Sequence, residues 1–176
     1  MDANPLNRDY SPFCHSGATF KAEYIPLPTG VELLSVVFTP PEPVVAPVII
    51  FIPGFVSLID NFRETLVELT RTHTVFYVET REKSTAGISP EHRFSVDEIT
   101  SDIVHFAELI IPEGVHFVMA GWSLGATVIA EAFPLLQRKP VLVLLIEPNS
   151  SFPFKGMALL FARLAKYIYR PVVPFV

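Results

Sequence analysis

Apolar and polar positions along the chain follow two alternating rhythms. The segment "KAEYIPLPTGVELLSVVFTP" gives two short runs of roughly alternating apolar and polar residues around the turn-prone pair Thr29-Gly30, which predicts an antiparallel hairpin. In "APVIIFIPGF" bulky and β-branched residues run without a polar member up to Pro53. That is the pattern of a strand buried on both faces, as parallel sheets produce. "SLIDNFRETLVELTRTH" then opens with Ser57 and Asp60 three residues apart and sets Phe62, Leu66 and Leu69 on one helical face. A helix follows that strand.

The alternation repeats. "TVFYVETR" reads as a strand, and after a loop "SVDEITSDIVHFAELIIPEG" begins with a Ser95/Glu98 capping box and repeats Ile99, Ile103, Phe106 and Ile110 at helical spacing. Pro112 and Gly114 stop that helix. "VHFVMAG" gives another buried strand, "LGATVIAEAF" a helix bent or ended at Pro134, and "VLVLLIEP" a further strand. Parallel neighbours need crossovers, and those crossovers cover the sheet. The expected fold class is therefore α/β, a mainly parallel doubly wound sheet with an antiparallel N-terminal hairpin at its edge. The organisation expected is an N-terminal extension over 1–20, a core over 21–150 and a separate helical segment over 151–176.

Composition narrows the partners. The chain has 176 residues, enough for one domain with a real core. Half of it is hydrophobic, 18% is charged and the net charge is -5, and no run of Lys and Arg with interleaved aromatics occurs, so nucleic acid is not an expected partner. The single cysteine, Cys14, excludes an intrachain disulfide and a Cys-based metal cluster and suits a reducing compartment, so a cytoplasmic location is expected. The start "MDANPLNRDYSPF" lacks the basic and apolar regions of a signal peptide. The most apolar stretch, "GMALLFARLAKYIYRPVVPFV", is cut by Arg163, Lys166, Arg170 and two prolines, so no membrane span is expected. Neither cofactor nor metal is implied.

The candidate chemistry lies in "VMAGWSLGAT", which places Ser123 between Gly121 and Gly125 where a buried strand passes into a helix. Carboxyl ends of strands are where doubly wound sheets place reactive groups. Glycines two residues either side remove side chains that would collide in so tight a turn, leaving the hydroxyl held out in the open. A second loop, "FIPGF", follows the third strand. With these motifs and this element order, residues 20 to 150 resemble the α/β-hydrolase superfamily, particularly its esterases and lipases with a helical lid. The resemblance implies a serine nucleophile at Ser123, attacking a carboxylic ester or related acyl bond, with backbone N–H groups of Phe55 and Leu124 as the oxyanion hole. It implies a small acyl-ester or lipid-like substrate.

Two members of the expected triad are not evident. The superfamily order is Ser, acid, His, yet no histidine follows His116 and no aspartate follows Asp102. His116 reads as part of a buried strand, and His105, His73 and His15 read as structural or surface residues. His92 is the one histidine whose loop opens on the same sheet edge as Ser123. Glu131 lies two turns into the helix after Ser123, whereas Glu147 ends the sixth strand, where some hydrolases of this fold keep their acid. The loop "ETREKSTAGISPEHRF", Gly-rich in relatives, is expected to be charged and solvated. The resemblance is incomplete at the C-terminus: segment 151–176 corresponds to the start of a lid or cap helix, and the last strands of relatives have no counterpart in this sequence.

Arg163, Lys166 and Arg170 form one polar stripe on that otherwise apolar segment, which admits weak contact of 156–170 with a membrane surface. The all-apolar run Val141 to Ile146 would be an exposed sheet edge if nothing pairs beyond it, which favours self-association. The sequence thus points to a serine hydrolase, feeble as this chain alone, or alternatively to a catalytically inactive binding or scaffold module with the same fold.

Overall fold

The computed structural model describes residues 4–42, 46–89 and 94–149. His92 and the segment 151–176 lie outside the described residues, and with them the expectations for a histidine base and for a lid helix touching membranes.

Strands β1 (Thr19–Pro26), β2 (Glu32–Thr39), β3 (Val48–Ile52), β4 (Val75–Val78), β5 (Phe117–Trp122) and β6 (Leu142–Ile146) form one sheet in the order β1-β2-β4-β3-β5-β6. β1 and β2 are the expected hairpin at the edge, and β2 joins β4 antiparallel. From β4 through β3, β5 and β6 every pairing is parallel. The crossovers are helices α1 (Arg63–Leu69), α2 (Val96–Ile110) and α3 (Leu124–Leu135), and a 3-10 turn over Ile59–Phe62 leads into α1.

Both faces of the sheet are covered, and β3 shows why its sequence is apolar at every position. Ile50 and Ile52 join one core with Ile103 and Phe106 of α2 and Val128 and Ile129 of α3. Ile49 and Phe51 join the other with Phe62, Leu66 and Tyr77. Successive strand side chains point to opposite faces, so a strand sandwiched between two helical layers needs apolar residues without interruption. Tyr10, Phe13 and Cys14 pack into the second core, so part of the N-terminal extension is built into the hydrophobic body.

The helix starts follow their caps in one case and not in the other. At α2, Ser95 Oγ accepts the Glu98 N–H at 3.2 Å and Glu98 Oε2 accepts the Ser95 N–H at 3.2 Å, the reciprocal bonds read from the sequence. Ahead of α1, Ser57 and Asp60 do not cap. Asn61 Oδ1 accepts the Leu58 N–H at 2.9 Å instead, shifting the start and giving a 3-10 turn first. Pro134 lies inside α3 one residue before its end.

β6 departs from the sequence reading of a buried run. It is the sheet edge among the described residues, and Leu142, Leu144 and Leu145 are 51%, 46% and 42% exposed. Its composition is that of a central strand, but burial depends on a neighbour that its own sequence does not supply.

Candidate functional site

Parallel register gathers the candidate residues at one rim of the sheet. Ile52 pairs with Gly121 and Trp122 pairs with Ile146, so Pro53-Gly54, Ser123 and Glu147 leave three adjacent strands at the same level. Ser123 occupies the turn between β5 and α3 with φ 52° and ψ -112°. A residue with a Cβ enters that region at a cost of about 1–3 kcal/mol, and it persists where surrounding structure fixes it. Here the Ser123 N–H donates to the Ile146 carbonyl at 2.9 Å, and the Thr127 N–H donates to the Ser123 carbonyl at 3.0 Å.

The two flanking glycines answer different contacts. A Cβ on Gly121 would stand 2.6 Å from the Ala126 nitrogen, inside the strand-to-helix turn itself. A Cβ on Gly125 would stand 2.2 Å from the Ile52 carbonyl oxygen, so this glycine lets α3 lie directly on the end of β3. Gly54 completes the closure: a Cβ there would lie 3.2 Å from the Ser123 Cβ and 2.9 Å from the Ser57 Oγ. The Gly54-Phe55 turn therefore lies directly against Ser123 and the start of α3.

Beneath that turn lies a feature the sequence reading missed. The loop after β4, expected to be solvated, leaves Ser84 exposed but buries three charged side chains: Arg81 is 2% exposed, and the Lys83 and Glu82 side chains are 8% and 5% exposed. Arg81 grips Asp102 of α2 bidentately, Nε to Oδ2 at 2.6 Å and Nη2 to Oδ1 at 2.7 Å, and the Thr29 hydroxyl donates to the same carboxylate at 2.7 Å. Burial works against the Arg81 charge, but the bonds and charge of Asp102 outweigh it and hold the guanidinium firmly protonated. The far end of the loop is held where Glu32 and Gly87 exchange two backbone bonds of 2.9 Å. Anchored at both ends, the loop carries Lys83 inward, and its Nζ donates to the Gly54 and Phe55 carbonyls at 2.5 Å each. Glu82 Oε1 lies 3.5 Å from Lys83 Nζ and accepts the Thr80 hydroxyl at 2.7 Å, while Glu82 Oε2 is buried with no hydrogen bond. Burial pushes the Lys83 ammonium below the usual lysine range and the Glu82 carboxyl above the usual carboxylate range.

The opposite flank of Ser123 is formed by the end of β6. Glu147 is exposed and has a positive φ of 51°, and among the described residues no hydrogen bond links its carboxylate to Ser123. Asn149, which sequence reasoning did not single out, donates from Nδ2 to Ser123 Oγ at 3.0 Å. Its backbone is tied to α3, since the Asn149 N–H donates to Thr127 Oγ1 at 3.0 Å and that hydroxyl donates to the Asn149 carbonyl at 3.0 Å. The signal was faint: one amide three residues past a strand end. Glu131 is exposed on α3. His116 is corrected from a buried strand residue to an exposed one that precedes β5, its carbonyl accepting the Val48 N–H at 3.0 Å. Among the described residues no group of three or more His, Cys, Asp or Glu side chains is placed to hold a metal ion.

No protein-family model matches the sequence, and no curated protein matches it. Solved structures do. A bacterial membrane phospholipase A, described as a virulence factor, superposes with a TM-score of 0.63 at 18% identity over 80% of this chain and 43% of its own. A lipase candidate of Acinetobacter baumannii AYE gives 0.62 at 14% identity over 86% of this chain and 48% of its own. Epoxide hydrolase I of potato, Solanum tuberosum, gives 0.60 at 19% identity over 71% of this chain and 39% of its own. This chain thus spans less than half the length of each. All three are α/β-hydrolase superfamily members, and the superpositions on them give this chain the α/β-hydrolase fold.

Proposed function

We propose that this chain is the nucleophile-bearing part of a serine hydrolase that cleaves carboxylic esters or related acyl bonds of small or lipid-like molecules. One observation carries the reading: Ser123 sits at φ 52° in a turn that three glycines allow to close. Strain of that kind at a strand end is kept where a side chain must be presented rather than packed. In the proposed step Ser123 Oγ bonds to the acyl carbon, the carbonyl π pair moves onto oxygen, and the hydroxyl proton leaves to a base or to solvent. Backbone N–H groups of Phe55 and Leu124 receive the developing oxyanion, Leu124 from the N-terminus of α3. Collapse of the adduct expels the leaving oxygen, which takes up a proton. The neighbours include enzymes of ester and of epoxide chemistry, so the choice of an acyl bond rests on the serine at the turn.

Activity of this chain alone is expected to be weak. Among the described residues the bond made to Ser123 Oγ comes from the Asn149 amide, a donor that takes no proton. That same bond favours a second reading, a catalytically inactive binding or scaffold module. A fluorophosphonate probe separates the two: Ser123-dependent labelling, abolished by Ser123→Ala, supports the hydrolase, and labelling unaffected by that change overturns it. Hydrolysis of an activated aryl ester should be slow, should need Ser123, and should stay flat through neutral pH in the chain and in its His92→Ala and Glu147→Gln variants. An inflection near pH 6 to 7 that vanishes in His92→Ala would instead make His92 the base. Among the described residues no helix is long and apolar enough to cross a membrane. A cytoplasmic setting is part of the proposal, supported by Cys14 being buried as a free thiol.

A further inference from the structure

We propose that Lys83 is a positioning residue of the acyl-transfer site, whose ammonium orients and polarises the Gly54-Phe55 peptide so that its N–H is fixed as an oxyanion donor. The inference rests on the hydrolase reading of Ser123.

The geometry is short and one-sided. Lys83 Nζ donates to two successive carbonyls, those of Gly54 and Phe55, at 2.5 Å each, and its side chain is 8% exposed. Cis peptide bonds are absent among the described residues, and in a trans peptide the C=O and the following N–H point in opposite directions. Holding the Gly54 carbonyl toward the lysine therefore points the Phe55 N–H away from it, in the opposite direction within the peptide plane. Gly54 itself stands against Ser123, a Cβ on it coming within 3.2 Å of the serine Cβ. The Gly54 carbonyl also accepts the Ser57 N–H at 3.2 Å, so the plane is held from two directions.

Charge adds to position. A cation at the oxygen end of a peptide draws electron density from its nitrogen, and the N–H becomes a stronger donor at the moment an oxyanion forms. A preset donor requires no reorganisation during the reaction, which is why a fixed dipole outperforms a mobile one. Keeping an ammonium in so buried a place is costly unless it is compensated. The compensation visible is two carbonyls and the Glu82 carboxylate at 3.5 Å, and the Arg81–Asp102 pair pins the loop that delivers them. A surface lysine serving only solubility has no use for that arrangement.

The test compares the wild-type chain with Lys83→Met, Lys83→Gln and Lys83→Arg by two independent readouts. In hydrogen exchange, Lys83→Met should slow exchange at Phe55 and Val56 several-fold, because the ammonium that acidifies these two N–H groups is gone, while β3 and β5 amides stay protected, which also shows that the variant is folded. In acylation, the rate of fluorophosphonate labelling at Ser123 should fall about 10- to 100-fold in Lys83→Met, less than the full 10²–10³ of a lost oxyanion donor. Lys83→Gln should fall less, and Lys83→Arg should recover most of the rate. With an aryl ester the loss should appear in kcat with KM unchanged. Unaltered exchange at Phe55 and Val56 in folded Lys83→Met overturns the proposal whether or not the chain acylates. So does an unaltered labelling rate. Absence of any Ser123-dependent labelling in the wild-type chain would instead overturn the hydrolase reading, and with it the catalytic half of this proposal.

Discussion

The two flanks of Ser123 are built in opposite ways. On the β3 side the turn is closed by glycines, lies over a buried Lys83–Glu82 pair, and is backed by the Arg81–Asp102 bridge. On the β6 side stand leucines between 42% and 51% exposed, an exposed Glu147 and the Asn149 amide. The difference maps onto chemistry. On the proposed hydrolase reading, stabilising an oxyanion needs backbone groups fixed to fractions of an ångström, and the closed flank is the one built for such support. Removing a proton needs a base with an acceptor at the hydroxyl, and the described part of the open flank offers a donor there.

If the closed flank is the rigid one, its largest weakness is the buried ion pair. Asp102→Ala would leave the Arg81 guanidinium without its bidentate partner, and breaking such a pair costs about 3–5 kcal/mol. Denaturant unfolding should show that loss, and Leu144→Ala on the open flank should cost well below it because half of that side chain is already in water. Equal losses would erase the contrast. Next in size is Gly125→Ala. Alanine gains about 1 kcal/mol of helix propensity, but its Cβ would sit 2.2 Å from the Ile52 carbonyl oxygen. Overpacking of about 1–3 kcal/mol should win, lowering the melting temperature and abolishing Ser123 labelling. A rise in melting temperature would mean that α3 and the end of β3 are not in contact.

A subtler test uses pH. Burial raises the Glu82 carboxyl above its ordinary value of 4.5, so just above that pH the folded chain holds a proton that the unfolded chain has released. The stability this contributes is present at acidic pH and is lost as pH rises through the folded value. Glu82→Gln should flatten that slope. The buried Lys83 acts oppositely: its folded value lies below the ordinary 10.5, so stability rises with pH across the interval between the two. A pH series of unfolding curves in which Glu82→Gln and wild type run parallel would show that Glu82 is not buried.

The open flank gives the smaller effects on stability. Leu144→Lys should change unfolding free energy by no more than about 0.5 kcal/mol, as exposed substitutions do. It should nevertheless reduce self-association, because a charge on an apolar edge strand discourages edge pairing. Sedimentation of both proteins checks it, and a wild-type chain that is monomeric throughout would count against an associating edge. Smallest in structure is Asn149→Asp, which replaces a donor 3.0 Å from Ser123 Oγ with an acceptor. Labelling of Ser123 should then rise with pH through the carboxylate range, near pH 4. Flat labelling would show that position 149 does not govern the hydroxyl.

Much of this architecture was legible in order along the chain. Strand and helix periodicities, the Ser95/Glu98 capping box and the Gly-x-Ser-x-Gly turn are set by residues within a few positions of one another, and local sterics and hydrogen bonding act over that range. The apolar run of β3 was also readable, since two-faced burial imposes itself on every residue of a strand. Contacts between distant segments were not. Arg81 and Asp102 lie 21 residues apart, and Lys83 meets carbonyls 28 and 29 residues before it, so charges that read as a solvated loop become a buried network only once α2 and β3 are in place. Likewise β6 carries the composition of a central strand but is the edge among the described residues, because whether a strand is covered is decided by the surface beside it. The sequence by itself determined which elements form and where a serine would be presented. Only the tertiary structure decided what surrounds that serine, because burial and charge compensation belong to pairs of segments and are written in neither one alone.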